Sequence, residues 1–330
     1  MTTKNATMHG TVLVTGGAGY IGSHVCKALV RAGMLPVTYD DLSRGHEWAV
    51  KWGPFVRGSL LQRHTLLEAV ERHQPVAVVH LAGFTYVGES VRDPLLYYRN
   101  NVEGSLRLIE VCADQGVKAI VFSSSAAVYG NPLSTPISED HPLAPINPYG
   151  FTKVAVERFL RDAEEAGGPR SISLRYFNAA GADPEGEAGE AHDPETHLIP
   201  LALAAARDGA PLTVFGTDYD TPDGTCIRDY IHVSDLADAH VRAVEVLLGA
   251  APSTALNLGT GSGVSVRQIV AAAQEVTRKE VPVRYGARRP GDPPRLVSDP
   301  ARALREFGWV PRHSDIRSII GTAWHWMNRT

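Results

Sequence analysis

The stretch Thr11-Val12-Leu13-Val14-Thr15-Gly16-Gly17-Ala18-Gly19-Tyr20-Ile21-Gly22 decides the fold. Five β-branched or apolar residues end on a glycine cluster that satisfies both G-x-x-G-x-x-G and G-x-G-x-x-G, and an amphipathic segment follows at once. Gly16, Gly19 and Gly22 permit a tight turn and close backbone approach, and the amides at the start of the helix attract a pyrophosphate. Asp40 ends the next apolar run, about 20 residues further on, where a carboxylate accepts the ribose hydroxyls of an adenosine. It also repels a 2′-phosphate, so NAD is favoured over NADP; Asp41 strengthens that sign and Arg44 weakens it.

Outward from this turn, short apolar runs at 11–15, 35–40, 54–56, 76–81, 118–123 and 171–176 alternate with helical periodicity at 20–32, 64–73, 101–115 and 148–165. That alternation predicts β-α-β units, hence an α/β fold of the Rossmann type with a doubly wound parallel sheet. Beyond a boundary near Phe177 the chain changes character. Pro- and Gly-rich loops separate shorter helices at 198–208, 233–248, 266–277 and 301–307, which predicts a dinucleotide-binding domain over 1–177 and a smaller α/β domain over 178–330, with a segment crossing between them.

The chain has 330 residues, 44% apolar and 21% charged, with a formal charge of −4. No excess of Lys or Arg answers a nucleic acid backbone or an anionic membrane. The start of the chain, 1–11, is polar and leads into an apolar run too short for a signal peptide or a membrane span, and Cys26, Cys112 and Cys226 form no C-x-x-C pair. A cytoplasmic protein with buried reduced thiols is expected. Thirteen histidines include no H-E-x-x-H, so no metal site is expected.

Asn147-Pro148-Tyr149-Gly150-Phe151-Thr152-Lys153 places an N-cap and an N1 proline before Tyr149, putting Tyr149 and Lys153 on one helical face. A neighbouring ammonium and a nicotinamide cation are expected to lower the phenol toward neutrality, as a general base needs. Phe122-Ser123-Ser124-Ser125 ends the fifth strand at the ligand edge of the sheet, and Ser125 there can share a hydrogen bond with a substrate hydroxyl.

From about Thr11 to Trp326 the chain resembles the UDP-sugar 4-epimerases of the extended short-chain dehydrogenase/reductase family. The resemblance runs through the Gly-rich turn, Val87-Gly88-Glu89-Ser90, Asn100-Asn101-Val102-Glu103-Gly104, the serine strand end, Pro148 to Lys153, Arg175-Tyr176-Phe177-Asn178 and Arg228-Asp229-Tyr230-Ile231-His232. It implies Ser125, Tyr149 and Lys153 as the catalytic set. NAD contacts are implied from Gly16, Gly19, Tyr20, Ile21, Gly22, Asp40, Asp41, Leu42, Ser43, Ser59, Leu60, Leu81, Ala82, Gly83, Thr85, Asn100, Ser123, Tyr149, Lys153 and Phe177. Thr85 and Ser59 depart from the family pattern, which has a lysine and an aspartate there.

For a UDP-sugar, the resemblance implies contacts from Ser125, Tyr149, Asn178, His197, Leu198, Phe215, Arg228, Tyr230, Arg289, Asp292 and Leu296. The chemistry agrees, since guanidinium forks suit a diphosphate and a carboxylate suits ribose hydroxyls. His197 stands where the family often has asparagine, and Leu296 where some members hold a tyrosine that closes the sugar pocket. A homodimer pairing the helices at 101–115 and 148–165 is implied as well. Three rival readings are a pentose 4-epimerase, a non-catalytic NAD-binding module, and a 4,6-dehydratase. The last needs an Asp-Glu pair where this chain has Ala126 and Ala127.

Overall fold

The computed structural model describes residues 10–289 and 292–329. The polar start at 1–9 lies outside the described residues. Two compact units are formed: one from the described residues up to Gly130 with 142–175 and 237–256, the other from 131–141, 176–236 and the rest of the described chain.

The first unit opens with β1 (Thr11–Thr15), α1 (Tyr20–Arg31), β2 (Leu35–Asp40), β3 (Phe55–Arg57), α2 (Arg63–His73) and β4 (Ala77–His80). It continues through α3 (Val87–Arg92), α4 (Pro94–Tyr97), α5 (Gly104–Asp114), β5 (Ala119–Ser125), α6 (Pro148–Glu165) and β6 (Arg170–Tyr176). β1 pairs in parallel with both β2 and β4, β2 with β3, and β4 with β5. These near-continuous apolar strands are buried on both faces, as a parallel sheet covered by helices requires. The core of this unit gathers Leu13, Val37, Leu66, Leu108, Ile120 and Leu160. Because strand order reverses on either side of β1, the loops after β1 and β4 splay apart and open a crevice at the carboxyl edge.

Where helix was expected from residue 101, the chain first winds a wide π-type turn, Tyr98–Glu103, and only then enters α5. Within that turn the buried side-chain amide of Asn101 is committed sideways: Nδ2 donates to the Phe84 carbonyl at 2.9 Å, and Oδ1 accepts from the Phe84 amide at 2.8 Å. A local widening of this kind commonly serves a functional loop.

The second unit holds β7 (Asn178–Ala180), α7 (Leu198–Asp208), β8 (Leu212–Phe215) and β9 (Ile227–His232). The chain then runs along α8 (Val233–Leu248) and β10 (Thr254–Leu258), and β10 completes the seven-stranded order β10-β6-β5-β4-β1-β2-β3. After that come β11 (Gly263–Ser265), α9 (Val266–Thr277), β12 (Val283–Gly286), β13 (Arg295–Leu296), α10 (Ala301–Phe307) and α11 (Ile316–Met327). β9 is the hub, pairing with β7, β11 and β13, while β8 pairs with β12. Ile199, Leu203, Ile269, Ile319 and Ile320 build its core. The three cysteines are buried and free, and no helix among the described residues is long and apolar enough to cross a membrane.

Candidate functional site

The Gly-rich turn is fixed by backbone proximity. Gly16 sits at φ +75°, and a Cβ there would lie 2.6 Å from the Ala82 amide nitrogen; one on Gly22 would lie 2.1 Å from the Gly16 carbonyl oxygen. Only glycine permits this approach. α1 starts after Gly19 with no side-chain cap on its first turn, which holds Tyr20, Ile21 and Gly22. That arrangement suits a pyrophosphate, so the residues present fit the dinucleotide.

Asp40 ends β2 with its carboxylate accepting from the Ala18 amide at 3.1 Å and the Leu42 amide at 2.8 Å. Burial raises its pKa, and the two amides counter that. Asp41, Leu42 and Ser43 form the following bend, where Asp41 accepts from the Ser43 amide. Arg44, the nearby cation that could answer a 2′-phosphate, is drawn off by Glu89 at 2.7 Å and lies over the rings of Phe84 and Tyr86. Ser59 and Leu60 follow β3, and the Ser59 carbonyl accepts from the Tyr39 hydroxyl at 3.0 Å. Leu81, Ala82, Gly83 and the exposed Thr85 follow β4; Asn100 lies in the π-type turn and donates to Asn101. The structure thus brings the expected cofactor residues of this unit to the carboxyl edges of β1 to β5.

α6 begins as its sequence predicts, with the Asn147 side chain accepting from the Gly150 amide and Pro148 in the first turn. Ser90 Oγ accepts from the Tyr149 amide at 3.3 Å, and Glu89 accepts from the Tyr97 hydroxyl. The Val87-Gly88-Glu89-Ser90 motif therefore buttresses the start of α6. Tyr149 is buried and hydrogen-bonded to Ser125, the last residue of β5. One turn on, the buried Lys153 donates to the Ser123 carbonyl at 2.7 Å, with its Nζ 5.7 Å from the centre of the Tyr149 ring.

The expected lowering of the Tyr149 pKa rests on two positive charges, of which the protein itself supplies the Lys153 ammonium. Burial raises the Tyr149 pKa above its ordinary value, and the hydrogen bond from Ser125 only partly offsets this. Desolvation also drives the Lys153 ammonium down to about 8, against the pull of Glu157. The protein alone holds Tyr149 as the neutral phenol.

In the second unit, Phe177 joins β6 to β7, and Asn178 donates to the Asp229 carbonyl at 2.9 Å. Arg228 and Tyr230 lie on β9, with Arg228 registered opposite Leu296 of β13 and Tyr230 opposite Asn178. Arg228 and Asp292, read from sequence as separate contacts, form an ion pair with each other. Arg289 stacks on the Phe215 ring, 4.2 Å from its centre. Leu198 opens α7 after His197. Burial lowers the His197 pKa, but Glu190 and Glu195 push it up to about 10.

Asn101 and His80 were missed in the sequence. Asn101 bridges the Phe84 loop and, at 3.3 Å, Thr152 of α6, and the adjacent Asn100-Asn101 pair was its signal. His80, which burial pushes down to about 3, sits neutral between Thr15 and Ser105.

The NAD dependent epimerase/dehydratase family matches residues 12–259. The chain is 52% identical over 319 residues to the UDP-glucose 4-epimerase of Rhizobium leguminosarum bv. trifolii, covering 96% of this chain and 97% of that one. Among solved structures, UDP-glucose 4-epimerase from Brucella ovis in complex with NAD superposes with a TM-score of 0.94 at 53% identity, covering 96% of this chain and 98% of that one. UDP-glucose-4-epimerase from Stenotrophomonas maltophila with bound NAD and formylated UDP-arabinopyranose gives 0.93 at 40%, covering 96% and 98%.

The ammonium beside Tyr149 is lost as pH rises through about 8. Turnover of the wild type is therefore expected to fall along an alkaline limb near that pH, and Lys153→Met, with much lower turnover, should lack the limb. A pH profile of kcat for both proteins checks this; an identical limb in the variant removes Lys153 as its source.

Proposed function

This chain belongs to the NAD dependent epimerase/dehydratase family, and on that premise we propose that it interconverts UDP-glucose and UDP-galactose by oxidation at sugar C4 and re-reduction from the opposite face. The observation that carries the proposal is the strand-end Ser125 hydrogen-bonded to the buried Tyr149, with the Lys153 ammonium behind them. Bound NAD supplies the hydride acceptor and, in the second half of the cycle, the donor. As the phenolate, which Lys153 and the positive charge of bound NAD would together stabilise, Tyr149 takes the proton of the 4-hydroxyl, Ser125 orients that oxygen, and the phenol so formed returns the proton when the ketone is reduced. Lys153 stabilises the phenolate while it lasts. Ala126 and Ala127 follow Ser125 directly, so the acid and base of a dehydratase are missing from the turn where they would act.

For the nucleotide we assign Arg228 and Arg289 to the diphosphate, Phe215 and Leu198 to the base, and Asp292 to the ribose, with Asn178 and Tyr230 alongside. These contacts address the nucleotide and leave the hexose free to turn. The three buried, free thiols fit a reducing cytoplasm.

Tyr149→Phe should cut turnover by about 100-fold or more while leaving UDP affinity nearly intact. Deuterium placed at C4 of the substrate should reappear at C4 of the product. Near-normal turnover in the variant, or solvent hydrogen at C4, would overturn the mechanism.

We also assign a homodimer through α5 and α6. Leu106 and Phe151 on these helices are 40% and 51% exposed, and Val91 and Leu95 on α3 and α4, which pack against α6, are 62% each, apolar groups that a partner would cover. Sedimentation at micromolar concentration should show a dimer; a monomer removes this assignment.

Leu296 sets the width of the sugar pocket in this reading. Its half-buried side chain lacks the ring and hydroxyl of a tyrosine, leaving space for a turning 2-acetamido sugar. UDP-N-acetylglucosamine should therefore be epimerised too, and Leu296→Tyr should lower its kcat/KM selectively. A loss beyond the roughly 10- to 200-fold that one apolar contact supplies marks steric exclusion. An unchanged ratio of kcat/KM for the acetamido and plain sugars would sink the gate.

A further inference from the structure

In the second unit, the loop before α7 gathers Glu190, His192, Glu195 and His197, one donor atom from each lying within 4.8 Å of all the others. Glu190 Oε1 is 2.9 Å from His192 Nδ1 and 2.6 Å from His197 Nδ1, and the Glu195 carboxylate reaches His197 Nδ1 through Oε1 at 3.2 Å and His192 Nδ1 through Oε2 at 3.8 Å. In a four-coordinate site with bonds of about 2.0–2.1 Å, donor atoms stand roughly 3.3 Å apart. The observed separations bracket that value.

The loop is built to hold these donors in place. Trp326 of α11 donates its indole N–H to the Glu190 carbonyl at 3.0 Å, and the indole packs so closely on Gly189 that a Cβ there would lie 2.3 Å from the ring. The backbone amides of Thr196 and His197 both donate to Glu195 Oε1 at 2.7 Å, which fixes that carboxylate. Glu190 is 8% exposed, a buried carboxylate that demands positive charge, while His197 is 47% exposed and leaves an entry from solvent.

We propose that Glu190, His192, Glu195 and His197 bind one divalent transition ion of the zinc class, which fastens the loop to the start of α7. Two imidazole nitrogens and two carboxylate oxygens suit zinc or a neighbouring first-row ion rather than magnesium or calcium, which take oxygen donors alone. A ligating imidazole nitrogen carries no proton, so ion binding is coupled to proton release. The sequence hides the site, because E-x-H-x-x-E-x-H on an irregular loop matches none of the helical zinc motifs.

The test uses protein carrying its NAD, stripped of metal by dialysis against a chelator and titrated with Zn2+ in competition with a chromophoric chelator. One equivalent per chain should bind, with proton release and a rise of several degrees in melting temperature. Co2+ should give the strong visible absorption of a four-coordinate centre. His192→Asn and Glu195→Gln, each checked for native circular dichroism, should weaken Zn2+ binding by at least about 10-fold, whereas Cys226→Ser should not. Absence of stoichiometric binding, binding that survives both loop substitutions, or the weak spectrum of six-coordinate Co2+ overturns the proposal. Should a variant fail to fold, the Co2+ spectrum of the wild type decides alone.

Discussion

A buried ammonium constrains the first unit more than any other single group. Lys153 is 4% exposed, and a charge so far from water needs partners at fixed positions. It finds the Ser123 carbonyl at 2.7 Å, the face of Phe122 with Nζ 4.9 Å from the ring centre, and Glu157 one turn further along α6. Those partners dock α6 on the carboxyl end of β5, which in turn sets Tyr149 beside Ser125. Gly150 makes the approach possible, since a Cβ there would lie 2.4 Å from the Ala127 carbonyl.

Glu157 carries the constraint deeper. Its carboxylate accepts from Ser124 Oγ and is gripped by the Arg175 guanidinium at 2.9 and 2.5 Å, while Arg175 also donates to the Tyr129 hydroxyl at 3.0 Å. Removing one member of such a buried pair costs about 3–5 kcal/mol, whereas replacing both by apolar groups is often neutral or favourable. Net stability therefore does not explain the network. Its effect is orientation: residues 149, 153 and 157, four apart on one helical face, are registered against β5 and β6 by directional bonds. The phenol and the ammonium stay within reach of each other, but both lose hydration, so the phenol remains protonated until a further positive charge joins Lys153.

Legibility in the sequence followed how local each cause was. The Gly-rich turn, Asp40 at the end of β2, and the cap of α6 are written in adjacent residues, so their positions could be read directly. So could α7, α8, α9 and α10, whose helical periods are unbroken. β7 and β11 to β13 are two to four residues long and exist through pairing partners far away in the chain. No periodicity marks them. The Asn101 side chain in the π-type turn before α5 finds its partner 17 positions away, at Phe84, and the pairing of Arg228 with Asp292 spans 64 positions. The rise in the Tyr149 pKa was invisible for a further reason: spacing reveals a neighbouring ammonium but not the water that burial removes.

The Arg228–Asp292 pair bears on the anion contacts proposed for the second unit. A free arginine loses rotamer freedom when it binds, and the loss weakens affinity. Arg228 has already been ordered, donating to Asp292 on one side and to its neighbour's carbonyl, that of Ile227, at 2.8 Å on another. Arg289 is placed over the face of Phe215, with its guanidinium carbon 4.2 Å from the ring centre. Both guanidinium groups are thus oriented by groups that use only some of their five donors. Leu296, registered across from Arg228, contributes no polar side-chain atom beside them. If Arg228 and Arg289 take the diphosphate as proposed, directional hydrogen bonding falls on the nucleotide and the neighbouring Leu296 adds none, which favours firm hold of a nucleotide over firm hold of its sugar.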